Sequence, residues 1–134
     1  MGTERRAFKL PTADENFLEY RGSVWETIIE GQERWVITED FAVPNGYNHK
    51  SVLVALLLPP TYPDVQIDMA YFSPELARSD SKMIRNLSSR QINGKDWQQW
   101  SRHRVGEDAW RPDIDNIQTH LLYVTAFLET ELQK

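Results

Sequence analysis

The spacing of apolar residues changes twice along this chain, and the changes divide it into a helix, a run of strands and a second helix. Val24, Thr27, Ile28 and Ile29 concentrate β-branched side chains between Val24 and Glu30 and predict a strand there. Gly31-Gln32-Glu33 supplies turn chemistry, and a second strand over Trp35 to Glu39 completes a hairpin. Lys50 to Leu58 is an almost unbroken apolar run of strand length, which predicts the buried central strand. Leu58-Pro59-Pro60-Thr61-Tyr62-Pro63 follows; proline has no N–H to give to a ladder or a helix, so this segment is a rigid turn. Gln66 to Phe72 reads as an edge or fourth strand closed by Ser73-Pro74. The polar stretch Glu75 to Lys95 has no clean period and reads as loop with at most a turn of helix.

Helical spacing flanks these strands. Ala13 to Tyr20 predicts a short helix with Thr12 as N-cap and Glu15 three residues on, docked by Phe17 and Leu18 and ended by Gly22. Ile117, Leu121, Val124, Leu128 and Leu132 recur every three or four residues and predict a helix over Asp113 to Lys134, capped by Asp113. The expected class is therefore α+β: an antiparallel four-stranded meander with a short N-terminal helix and a C-terminal helix packed on one face. No internal repeat interrupts residues 1–134, which form a single expected domain; charged Met1 to Lys9 is expected to fray.

Composition narrows the function. A length of 134 residues suffices to bury a core without disulfides or metal. The net charge of −5 argues against a nucleic-acid partner, because phosphate neutralisation needs clustered Lys and Arg. There is no cysteine, hence no disulfide, thiolate metal site or thiol nucleophile. No apolar run approaches the roughly 18 residues that span a bilayer, and the N-terminal residues lack the apolar centre of a secretory signal, so no membrane association and a cytoplasmic location are expected. One segment stands out against this background. Trp97 to Pro112 places Trp97, Trp100 and Trp110 beside Ser101, His103, Arg102, Arg104 and Arg111, too polar for a core strand and too rich in rings for a plain loop. The tryptophans read either as an aromatic platform for a partner or as core packed against the last helix.

The order of these pieces carries a resemblance. An apolar strand, then Leu58-Pro59-Pro60-Thr61-Tyr62-Pro63, a strand ending before Pro74, and Trp110-Arg111-Pro112 opening toward a helix together resemble the ubiquitin-conjugating superfamily, in which a proline-tyrosine-proline turn ends the third strand and a tryptophan and proline follow the catalytic loop. With Phe17-Leu18-Glu19, Gly46-Tyr47, Asp68-Met69 and Trp97 to His103, the match over about Phe17 to Leu132 is similar to the bacterial branch called prokaryotic family E. The resemblance implies a component of a bacterial ubiquitin-like conjugation system. It would act beside an activating enzyme, a ubiquitin-like protein and a metal-dependent deconjugating peptidase, with no cofactor of its own. It also places the superfamily's catalytic cysteine around Trp100-Ser101-Arg102, where this chain has none. Nor is there a His-Pro-Asn triplet: Tyr71-Phe72-Ser73-Pro74 keeps only the proline, so the asparagine that would steady an oxyanion is missing.

Two readings of Ser101 follow. In the first, Ser101 replaces the thiol as acyl acceptor and forms an oxyester. His103, two residues on and on the same face of an extended segment, is the general base. Asp108 or Glu107 would orient that His, Arg102 or Arg104 would stabilise an oxyanion, and Trp100 would flank the site. An oxygen ester is a poorer acyl donor to amines than a thioester. In the second, Ser101 bonds the loop backbone, His103 is a surface residue, and the chain is a catalytically inactive adaptor that binds the ubiquitin-like protein or the activating enzyme. The missing cysteine favours the adaptor and the clustering of Ser101 to Arg104 favours the enzyme. His49, His103 and His120 each stand alone in sequence, so no metal site is expected. His120 borders the apolar stripe and should be packed and hydrogen-bonded. Tyr62 should pack its ring and tie its hydroxyl to a neighbouring loop. Asp64, Asp68 and Glu75 read as rim charges.

Overall fold

Asn93-Gly94 changes the expected sheet. In the computed structural model, which describes residues 4–134, Asn93 (φ 55°) and Gly94 (φ 75°) both take left-handed backbone. Two left-handed central residues make the tight hairpin turn whose twist matches that of paired strands. The turn joins two strands where the sequence pattern suggests loop, so among the described residues the sheet has six strands rather than four. They are β1 (Trp25–Glu30), β2 (Glu33–Ala42), β3 (Ser51–Leu58), β4 (Ala70–Ser73), β5 (Leu87–Ile92) and β6 (Lys95–Trp100), in the antiparallel order β1-β2-β3-β4-β6-β5. The first four form the expected meander with β3 internal. β4 is shorter than Gln66 to Phe72 and is no edge, because β6 pairs along it, Ala70 opposite Trp100. β2 runs past the expected Glu39 through a bulge at Asp40, whose φ is 55°.

Helix α1 (Thr12–Arg21) ends as expected at left-handed Gly22, but Thr12 is its first residue and Pro11, at the cap position, gives no side-chain cap. Glu15 instead accepts the Leu10 N–H at 3.2 Å, ahead of the helix. Helix α2 (Ile117–Glu131) starts four residues later than expected. Asp115 accepts the Arg111 N–H at 2.7 Å and closes a turn, so Asp113 stays exposed and Asn116 becomes the cap in a reciprocal box with Thr119. The next free N–H, that of Ile117, is met by buried Asp14 of α1, which also accepts the Tyr62 hydroxyl at 2.7 Å. Tyr62 is thus tied to a helix rather than a loop. Residues 1–3 of the expected frayed end lie outside the described residues; Arg5 to Ala7 bond along β1.

Alternation sorts the strand residues to two faces. Val52, Val54, Leu56, Phe72 and Trp100 join Leu18 of α1 and Ile117, Leu121, Val124 and Leu128 of α2 in the main core, while Leu132 lies past the end of α2 and is half-buried. On the face without helices, Ile28, Trp35, Ile37, Ala55, Tyr71, Ile92 and Trp97 are also buried. The sheet itself covers them. Asn93, at the tip of the β5–β6 hairpin, donates its N–H to Glu30 and accepts from Arg5, and Arg90 of β5 pairs with Glu33 of β2. Opposite margins of one sheet touch only if it curls, and Trp35 and Tyr71 meet edge to face at 5.0 Å inside the curl. Among the described residues no helix is long and apolar enough to cross a membrane.

Candidate functional site

β6 ends at Trp100, and residues 101–105 leave it without regular structure before a single 3-10 turn, η1 (Gly106–Asp108). Trp100 and Trp97, three apart on a strand, point to opposite faces. Trp100 is fully buried and stacks on Phe127 of α2 at 5.8 Å, whereas Trp97 enters the second core and not the contact with α2 expected of it. Trp110 is half-buried beside Tyr62 and donates its indole N–H to the Pro63 carbonyl at 2.8 Å, tying the post-loop segment to the proline turn.

The two arginines that were candidates for an oxyanion are engaged internally. Arg102 lies over the Trp100 ring and pairs with buried Glu131 of α2 at 3.2 Å. Arg104, with 6% of its side chain exposed, donates Nε–H to the Asp108 carbonyl at 2.8 Å and pairs with Asp115 at 3.4 Å. Its guanidinium sits between the Trp110 and Tyr123 rings. Buried Asp115 would be raised by desolvation alone; the Arg111 N–H, the Thr119 hydroxyl and the Arg104 charge overcome this and hold its carboxyl below the usual range. Asp108 thus serves through its carbonyl and not by orienting His103.

His103 lies between these anchors with 63% of its side chain exposed. Its Nδ1 is 2.9 Å from Asp68 Oδ2, and the Tyr123 hydroxyl donates to its carbonyl at 2.9 Å. Asp68, read from sequence as a rim charge, is therefore the partner that Asp108 or Glu107 was expected to be. The other Asp68 oxygen, Oδ1, is buried without a hydrogen-bond partner among the described residues. Ser101 is half-buried; its N–H bonds the Asn86 carbonyl and its hydroxyl accepts a long 3.5 Å contact from Gln99. Among the described residues no hydrogen bond joins Ser101 to His103, because the imidazole is turned to Asp68 and the Ser101 hydroxyl faces Gln99. Thirty-five positions separate Asp68 from His103, and no local sequence signal links them.

Beneath this surface lies His120, packed and hydrogen-bonded as its position suggests. It is fully buried, with Nε2 2.8 Å from the Met69 carbonyl and Nδ1 3.5 Å from Arg104. Burial pushes its pKa down to about 4; the Arg104 charge acts the same way and the Met69 carbonyl opposes them. The ring is therefore neutral, and its partners fix the proton on Nε2, donated to Met69, with Nδ1 accepting from Arg104. Among the described residues no three metal-ligating side chains converge.

Comparison with curated proteins and comparison with solved structures each gave no significant match. The model of one family, prokaryotic E2 family E, matches residues 10–131, a span that includes both helices, the whole sheet and the Ser101 to Arg104 segment, and this chain belongs to that family.

Proposed function

We propose that this chain is a component of a bacterial ubiquitin-like conjugation system that binds a ubiquitin-like protein and its activating enzyme, and receives or presents the modifier's C-terminal carbonyl at the open end of β6. One observation carries the reading. In a chain of E2 type, the loop after β6 is fixed by the Arg102–Glu131 and Arg104–Asp115 pairs yet leaves His103 open to solvent, in a sequence with no thiol. Rigid support beneath an open polar loop is how a binding site for a macromolecule is built. Ser101 fits the acceptor role less well, since among the described residues its hydroxyl is bonded to no base. This favours presentation over a serine oxyester.

The oxyester remains the second reading because the Ser101 hydroxyl proton is not committed to any acceptor among the described residues. Both are tested by mixing the chain with the activating enzyme, the ubiquitin-like protein and ATP. The expected result is a complex detectable by sedimentation that Ser101→Ala leaves intact. An adduct that survives thiol reductant, is cleaved by hydroxide and disappears in Ser101→Ala would replace presentation with the oxyester. No complex with either protein would end the proposal.

A further inference from the structure

We propose that His103, held by Asp68, is an acyl acceptor in its own right, with Nε2 as the nucleophile. The inference rests on the reading above only for the identity of the physiological donor, the modifier's activated C-terminus. A neutral imidazole whose Nδ1 faces a carboxylate keeps its proton there and presents the Nε2 lone pair outward. Nε2 has no partner among the described residues, and the ring is largely in solvent.

The surroundings exceed what a surface ion pair needs. Exposed pairs contribute little to stability, yet both sides of this one are fixed from beneath. Arg102 and Arg104 anchor the chain immediately before and after His103, and Tyr123 holds its carbonyl. On the other side, Met69, next to Asp68, takes left-handed backbone at φ 60°, where a side chain is strained, and its carbonyl is held there by neutral, buried His120. Arg104 contacts His120, so one buried chain of contacts runs from Asp115 through Arg104 and His120 to the segment that carries Asp68. This network fixes the distance between the carboxylate and the imidazole. Asp68 is thus a positioning residue and His103 the group that meets substrate.

The chemistry balances with the donor alone. The Nε2 lone pair adds to the activated carbonyl, and the bond to the leaving group breaks with its electron pair. The acylated ring is cationic, stabilised by the Asp68 carboxylate, and becomes neutral when the Nδ1 proton passes to that carboxylate or to water. An amine then attacks the acyl carbon, the bond to Nε2 breaks with its pair returning to the ring, and the amine's proton restores the neutral imidazole. An N-acyl imidazole is a better acyl donor to amines than an alkyl oxygen ester, which suits a conjugating chain without a thiol.

p-Nitrophenyl acetate is the probe, because it needs no partner protein. The whole chain should release p-nitrophenolate faster than buffer. His103→Gln, an exposed substitution, should lose the protein-dependent rate, while His49→Gln keeps it. Asp68→Asn should lose most of it with an unchanged Tm, and Asp68→Glu should restore part. With glycinamide present, acetyl-glycinamide should form without raising the protein-dependent release of the first turnover. A rate that survives His103→Gln overturns the proposal. So does first-turnover release that rises in proportion to glycinamide, which would make His103 a base. Loss of the complex with the modifier but not of this reaction would remove the donor and leave the acceptor; the converse would leave the partner reading intact.

Discussion

His120 is the residue whose burial has the plainest consequence. The unfolded chain takes up a proton here as pH falls through the usual value near 6.5, whereas the folded chain resists until about pH 4. A depressed folded pKa means stability that is fully present above about pH 6.5 and lost as pH falls toward 4, on the order of 3 kcal/mol across that window. Urea unfolding at pH 7 and pH 4.5 should show the loss. His120→Gln, which can still donate to the Met69 carbonyl but does not titrate, should lose distinctly less between the two; an equal loss would place the acid sensitivity elsewhere. His120 was legible in the sequence because it borders a helical apolar stripe. The pairing of His103 with Asp68 was not, since it depends on how β4 and β6 lie side by side. Ser101 and His103 looked like partners because they stand two apart, but a shared face does not set the direction of either side chain, and the imidazole goes to Asp68 while the hydroxyl meets Gln99.

At the scale of elements, the β5–β6 hairpin is where pattern and structure part. Its turn was readable in Asn93-Gly94, but β5 is an edge strand carrying Ser88, Ser89, Arg90 and Gln91, so its apolar alternation is too weak to announce a strand. The start of α2 failed for another reason. Asp113, Asp115 and Asn116 can each cap a helix, and the choice falls to Asn116 because Asp115 is taken by the Arg111 turn. The central strand β3 and the two-faced alternation of β1 to β4 were plain, because strong apolar runs admit little else. Gly94 gives a clean test of the turn. A Cβ there would meet nothing within 4 Å, so the cost of Gly94→Val is that of left-handed backbone, about 1–2 kcal/mol. A urea midpoint equal to that of the unaltered chain would mean that the turn does not hold this conformation.

For the molecule as a whole, the question is what keeps the sheet curled. Two agents are available: the polar seam of Arg5, Glu30, Glu33, Arg90 and Asn93 that joins its margins, and the apolar filling of Trp35, Tyr71 and Trp97 within. The Arg90–Glu33 pair is about one-third exposed on each side, and such pairs contribute at most about 1 kcal/mol. Trp97 is 4% exposed, and replacing a tryptophan so placed by alanine costs about 3–5 kcal/mol through lost burial and the cavity left behind. The filling should therefore dominate. Glu33→Gln should shift the urea midpoint slightly, and less in high salt, while Trp97→Ala should shift it severalfold further with little salt dependence. The reverse order would make the seam the fastening and the inner tryptophans passengers. The same comparison bears on the site. β6 carries Trp97 into the curl and Trp100 into the main core, so slackening the curl loosens the strand that launches residues 101–105 and should lower the reaction of His103 with p-nitrophenyl acetate together with stability.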